Sequence, residues 1–368
     1  MILTGSKRPY TMKFIFMNEE KIWANALNQS LQFGPVRLKK IREYFGSFKN
    51  AWGASLSEIK NATDLEELED FRKKIDPEKE FEILEKENIK VLLKNEFSRL
   101  LRETPFPPEI LYMKGDLPEE NFIHLAIVGT RKCSTYGKEA CEKIIGELAE
   151  YKIVIVSGLA IGIDATAHKT AILNNMKTIG VLGCGLKENV FYPQENLKLS
   201  REIIEKGGCV VSEHPYTMKA ARWTFRQRNR IVAGLSKGVF VVEAPEKSGT
   251  LITANFAVDY NREVFALPGS IFSANSAGTN KLIKAGAIPV ISGADILTAF
   301  GIETEENKKE ALDLSPLEEK IIFALTEPMT RDDLIRKVNL SPKEINPALG
   351  ILEIRGIIKE SGGEIFRM

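Results

Sequence analysis

Between residues 122 and 270 the chain repeats one pattern: a short, uninterrupted apolar run, then a stretch that reads as an amphipathic helix. The runs fall at residues 124–128, 153–156, 178–182, 208–211, 238–242 and 263–267. Four or five consecutive apolar residues suit a strand buried on both faces. A helix after each run supplies the crossover that a parallel pair needs, and helices are expected over 135–150, 164–174 and near 196–206. The pattern predicts an α/β fold whose parallel sheet is covered on both faces. Residues 89–93 and, after Pro107-Pro108, 110–113 add two further strands.

The flanks have a different texture. Residues 18–75 read as short helices, with Ile22, Trp23, Leu27, Leu31, Val36, Leu38, Ile41, Phe45 and Phe48 at helical spacing and Gly34-Pro35 and Gly46-Ser47 as punctuation. A glycine turn followed by an apolar and basic helix over 36–44 resembles a helix-hairpin-helix unit, which binds phosphate through turn amides. A small helical bundle with exposed lysines fits the same residues. Residues before 18 are assigned no structure. Residues 315–368 read as three helices, opened by Ser315-Pro316, Thr330 and Ser341-Pro342, and a hairpin with its turn at 360–364. That order is a winged helix. The expected division is therefore a helical domain at 1–79, a sheet domain at 80–300, an acidic linker at 301–314 and a winged helix at 315–368. A chain of 368 residues has room for two or three domains.

Charge is uneven along these pieces. Residues 1–121 hold 20 basic and 21 acidic side chains, and residues 315–368 hold 8 and 9. Residues 122–300 hold 21 and 15, a net +6, so a polyanion partner is expected on the sheet domain. No run approaches the roughly 18 apolar residues of a membrane span, so no membrane partner is expected. Four cysteines without a Cys-x-x-Cys pair, and three histidines, are poor material for a zinc site. Sparse unpaired cysteines suit a reducing, cytoplasmic setting.

Three loops draw attention because each follows a strand and precedes a helix. The first is Gly129-Thr130-Arg131, the second Ser157-Gly158 through Asp164, and the third Glu243 through Lys247, Ser248 and Thr250. In parallel sheets ligands sit at the carboxyl ends of strands, where free helix amides attract anions. Arg131 adds a planar fork suited to phosphate oxygens. Asp164 reads as a helix cap, and His168 as a packing residue, since no nucleophile accompanies the pair. The strongest signal lies between Glu213 and Glu243, where six basic residues meet no acidic one. There Trp223 and Phe225 interleave with Arg222, Arg226, Arg228 and Arg230. Cations for phosphates and aromatic faces for bases are what a single strand of nucleic acid requires. No Walker loop is present, and Gly183-Cys184-Gly185 lacks the third glycine of a dinucleotide fingerprint. No cofactor is expected.

Taken in order, these motifs resemble the DNA-processing protein family called DprA or Smf. The resemblance runs from Ile127-Val128-Gly129-Thr130-Arg131 through 157–164, Gly183-Cys184-Gly185, Tyr192-Pro193, Ser212-Glu213 and 225–231 to Ser248-Gly249-Thr250-Leu251 and 266–270. It implies an extended Rossmann-like sheet domain that binds single-stranded DNA, through Gly129, Thr130, Arg131, Ser157, Gly158, Arg222, Phe225, Arg226, Arg228, Arg230, Lys247 and Ser248. It also implies a homodimer through that domain, and loading of RecA onto DNA coated by single-strand-binding protein in natural transformation. It implies no catalysis. The alternative is a nucleoside monophosphate hydrolase of a related Rossmann superfamily. Such enzymes show Pro-Gly-Gly-x-Gly-Thr-x-x-Glu, and this chain has Glu246-Lys247-Ser248-Gly249-Thr250 instead.

Overall fold

A computed structural model of the chain describes residues 10–30, 33–63, 69–119, 121–302 and 314–367. Most of the expected linker, 303–313, lies outside the described residues. The chain divides into two compact units, Met1–Ala299 and Phe300–Met368.

The first unit is built on nine strands: β1 (Lys90–Leu93), β2 (Ile110–Gly115), β3 (Ile123–Val128), β4 (Ile153–Ser157), β5 (Thr178–Leu182), β6 (Cys209–Ser212), β7 (Gly238–Val241), β8 (Glu263–Ala266) and β9 (Ile288–Pro289). Their order is β1-β2-β6-β5-β4-β3-β7-β8-β9. From β6 to β9 every pair is parallel, as the alternating pattern predicts. At the other edge β2 is antiparallel to both β1 and β6. The sheet is therefore mostly parallel, with an antiparallel edge at β1 and β2. The seven residues between β2 and β3 are too few for a crossover, which needs a dozen or more.

Six helices precede the sheet: α1 (Tyr10–Asn28), α2 (Pro35–Phe45), α3 (Phe48–Gly53), α4 (Leu56–Thr63), α5 (Glu69–Lys74) and α6 (Pro77–Lys86). α1 takes in Met12 and Met17, which sequence reading leaves without structure. Its first described buried residue is Ala24. Gly34 and Pro35 open α2, Gly46 closes it in the left-handed conformation, and Ser47 caps α3 by accepting from Asn50 N–H at 3.0 Å. These helices share a core with one sheet face. Leu27, Leu38, Ile41 and Phe48 pack in a cluster with Ile110, Tyr112 and Val210. Tyr112 Oη donates to Asn25 Oδ1 (2.9 Å) and accepts from Asn28 Nδ2 (3.1 Å).

The remaining helices are α7 (Arg99–Arg102), α8 (Thr135–Glu147), α9 (Ile163–Leu173), α10 (Leu197–Glu205), α11 (Arg222–Gly234), α12 (Thr250–Asp259), α13 (Ala277–Lys284) and α14 (Gly293–Ala299). The α9 and α10 side chains join the core of the face shared with the N-terminal helices. α7, α11 and α12 cover the opposite face, against Leu111, Met113, Val154, Val156 and Val239. Both faces of the central strands are thereby dry, which explains their unbroken apolar sequence.

The second unit is a winged helix. Its helices are Pro316–Ala324, Arg331–Val338 and Pro342–Ile354, and a sheet of order β10-β12-β11 is formed by β10 (Met329–Thr330), β11 (Ile358–Ser361) and β12 (Glu364–Arg367). Ile321, Leu334, Leu349, Leu352, Ile358 and Ile365 form its own core. Ser315 and Glu318 cap the first helix reciprocally, at 3.3 and 2.7 Å, and Thr330 caps the second. Among the described residues no helix is long and apolar enough to cross a membrane.

Candidate nucleic-acid interface

The chain runs outward from β3 through β4, β5 and β6, then returns to β7 on the other side of β3. The point of return is a topological switch, where diverging loops open a crevice at the strands' carboxyl ends. Val128 pairs with Val241, and Ser157 ends β4 beside them, so the three sequence-marked loops meet there. They enclose a cavity of about 530 Å3. Gly129, Thr130, Arg131, Gly158, Phe225, Arg226, Arg228, Lys247 and Ser248, all marked from sequence, line it. Ser157, Arg222 and Arg230 do not.

Short-range geometry holds the loops rigid. Thr130 N–H donates to the Glu243 carbonyl at 2.8 Å, and Ile163 N–H donates back to the Thr130 carbonyl at 3.3 Å. Gly162 has φ +84, and a side chain there would press within 2.4 Å of Thr130 O, so only glycine lets the second loop lie against the first. Asp164 does not cap its own helix. Its Oδ2 accepts from Gly158 N–H (3.1 Å) and Ala160 N–H (3.4 Å) and so shapes the loop before the helix. Burial pushes the Asp164 carboxyl above its ordinary range, against the pull of the Arg228 charge. Glu243 is buried too. Its carboxylate accepts from Ser134 Oγ (2.5 Å), Ser134 N–H (2.8 Å) and Asn275 Nδ2 (3.3 Å). The two carboxylates nearest the cavity therefore organise loops. His168 is buried against Thr178, which donates to the Ile155 carbonyl (2.7 Å) and so accepts from His168 Nδ1 (2.7 Å).

The four arginines of α11 split into two kinds. Arg222 and Arg226 are exposed. Arg228 is buried and its Nη1 donates to both the Gly158 and the Val181 carbonyls, so it braces the loop and lends the cavity its charge from below. Arg230 is buried in a pair with Glu213, and its Nη1 donates to the Phe106 carbonyl at 2.7 Å. The expectation that Arg230 meets a phosphate is corrected, because both ends of its fork are occupied inside the fold. Ser157 is corrected likewise. It is fully buried, and its hydroxyl donates to the Ile127 carbonyl at 2.6 Å.

At the mouth, the Arg131 guanidinium stands 5.2 Å from the centre of the half-buried Phe225 ring. The half-exposed ring of Tyr192 lies tilted beside Phe225, with ring centres 5.6 Å apart. Arg131, Tyr192 and Phe225 also border a smaller hollow with Ile161. The result is a cation and two aromatic faces at the rim of a basic cavity. Tyr192 was not assigned a role from sequence. The available signal was an aromatic residue in the loop following β5, weak because nothing local shows that the loop reaches Phe225. Lys247 is exposed on the third loop, and Ser248 Oγ accepts from Thr250 N–H at 3.2 Å as α12 begins. Among the described residues no group of three or more His, Cys, Asp or Glu could hold a metal ion.

A family model described as DNA recombination-mediator protein A matches residues 88–301, and one described as DprA winged helix domain matches residues 305–364. Protein Smf from Synechocystis is 33% identical, covering 94% of this chain and 98% of its own. DNA processing protein DprA from Streptococcus pneumoniae is 46% identical over 52% of this chain and 67% of its own. The X-ray structure of DNA processing protein A from Streptococcus pneumoniae superposes with a TM-score of 0.63 at 34% identity, covering 79% of this chain and 98% of that one. A structure addressing the single-stranded DNA binding mode of DNA processing protein A from Helicobacter pylori gives a TM-score of 0.51 at 30% identity, covering 58% and 95%.

Proposed function

The chain belongs to the DNA recombination-mediator protein A family, and from that membership we propose that it binds single-stranded DNA and loads RecA onto incoming strands in natural transformation. The observation that carries the binding half is the rim of the cavity, where Arg131 lies 5.2 Å from Phe225. A base stacks on an aromatic face while a neighbouring cation takes its phosphate, and each stacked base contributes about 1–3 kcal/mol. Arg226 and Lys247 line the same cavity and are exposed, and Arg222, also exposed, lies about one helical turn before Phe225 on α11. Gly129, Thr130, Gly158 and Ser248 supply the close backbone approach and polar lining, and Arg228 contributes charge from beneath. The ligand reported for the Helicobacter relative supports the same reading. The role is binding rather than catalysis, in keeping with carboxylates committed to loop contacts.

RecA and single-strand-binding protein are the partners in this reading, and the active form is a homodimer through the sheet domain. Ile271, Phe272 and Ile291, exposed near β8 and β9, supply apolar surface for a second copy. The winged helix makes a protein contact. Its charge is slightly negative, which disfavours a groove-reading role, and Phe323 and Ile354 are each 88% exposed.

The test is anisotropy of labelled single-stranded and duplex DNA across a salt titration. Single-strand preference with a steep slope is expected, and no binding at low salt rejects the ligand. A second assay follows RecA filament growth on DNA coated by single-strand-binding protein. Intact binding without faster filament growth rejects the loading half alone.

A further inference from the structure

A second basic cluster lies on the same edge of the sheet as the cavity. β1 points the same way as β6, because both are antiparallel to β2. Lys94, just after β1, and Glu109, just before β2, therefore sit at the carboxyl edge. They line a hollow of about 490 Å3 with Lys39, Arg42, Glu43 and Arg102. Buried Glu109 faces both Arg42 (3.1 Å) and Lys94 (3.7 Å), so one carboxylate answers two cations. Lys39 meets the exposed Glu43 at 3.7 Å. Arg102 donates weakly to the Asn95 carbonyl at 3.5 Å and has no carboxylate partner among the described residues.

Two aromatic rings occupy the edge between this cluster and the cavity. Phe106, 64% exposed, is in the loop entering β2, and Arg230 anchors its carbonyl at 2.7 Å. Trp223, 55% exposed, stands edge-on to His214, just beyond β6, with ring centres 5.9 Å apart. In strand order the edge thus carries cations, Phe106, Trp223, and then Arg131 with Phe225.

We propose that single-stranded DNA continues from the cavity across Trp223 and Phe106 to the cluster after β1, where Lys39 and Arg102 take its phosphates. This path rests on the single-stranded DNA reading above. From β1 to β3 there are five strand spacings, roughly 24 Å. A strand stacked at about 3.4 Å covers that span in about seven nucleotides. Alternating cations and ring faces match the phosphates and bases a single strand presents, and a duplex offers no free base faces to such rings.

The test is anisotropy of the full chain with thymidine oligomers of about three and about 25 nucleotides, the first too short to span the roughly seven between the sites and the second overrunning both. Lys39→Ala with Arg102→Ala removes the two cations that do not hold Glu109. The short oligomer is expected to bind as before. Affinity for the long one falls about fivefold to tenfold, and its log–log salt slope by about 1.4, or about 0.7 for each lost phosphate. Lys143→Ala with Lys152→Ala, exposed cations away from that edge, leaves both unchanged. Equal loss at both lengths, no loss at the longer, or an equal loss in the Lys143 and Lys152 variant overturns the extended path. Failure of the unaltered chain to bind either oligomer overturns the single-stranded DNA reading itself.

Discussion

Arg230 and Glu213 are paired inside the fold, with Arg230 Nη2 at 2.5 and 2.6 Å from the two carboxylate oxygens and both side chains 7% exposed. The pair joins the middle of α11 to the end of β6, and through the Phe106 carbonyl it also fixes the loop entering β2. Its charge is spent on architecture, although Arg226, one helical turn away, is exposed to solvent.

Arg230→Ala is therefore expected to act on stability. Removing one partner of a buried pair strands the other charge and costs about 3–5 kcal/mol. Urea unfolding reads this directly. Wherever the variant remains folded, its salt slope for single-stranded DNA should match that of the parent, and a shallower slope would return Arg230 to the phosphate contacts.

Arg131→Ala combined with Arg222→Ala is expected to do the reverse. Among the described residues neither has a buried charged partner to strand, so the unfolding midpoint stays put. The log–log slope of single-strand affinity against salt should fall by about 1.4, at about 0.7 per phosphate contact. An unchanged slope removes both from the interface.

Phe225→Ala separates stacking from charge. Loss of one stacked base lowers affinity by about 1–3 kcal/mol, roughly fivefold to more than a hundredfold, with the salt slope preserved. A Phe225→Ala chain that binds thymidine oligomers as tightly as the parent contradicts the stacking role.

Acid should weaken the fold through its histidines, the part-buried His124 among them and the buried His168 and His214 most strongly. Burial lowers the pKa of His168 to about 3 and that of His214 to about 4, from 6.5, aided by Arg228 and Arg230 respectively. The unfolded chain protonates first as pH falls, so their stabilising contribution is complete above about 6.5 and is lost below it. Each histidine removes about 1.4 kcal/mol per pH unit in that window, until its folded pKa is reached. The urea midpoint should drop between about pH 7 and pH 5. His168→Gln should drop less steeply, and an equally steep fall would mean His168 titrates normally.

Much of the sheet was legible because both faces of its central strands are buried, which leaves the apolar runs unbroken. Strand direction at the β1–β2 edge was not written in the strands themselves. Only the shortness of the link from β2 to β3 carried it. At the site, strand-end glycines and the basic helix located the cavity. Helical geometry could have separated Arg228, which lies well around the helix from Arg222 and Arg226. It could not have separated Arg230, four residues after Arg226 and so on much the same face. What buries Arg230 is Glu213 and the Phe106 loop, 17 and 124 residues away in sequence. Ser157 was misread for a similar reason, since its partner Ile127 lies on a neighbouring strand.

The cavity's walls come from residues 128–132, 158–164, 225–232, 245–253 and 275, brought together only when β3, β4 and β7 lie side by side. No contiguous stretch of the chain holds the whole site, since α11 brings Phe225 and its arginines but not Arg131 or Lys247. A half-made or clipped chain consequently offers at most a fragment of the grip, and full retention on a single-stranded DNA column becomes a readout of whether the sheet has closed.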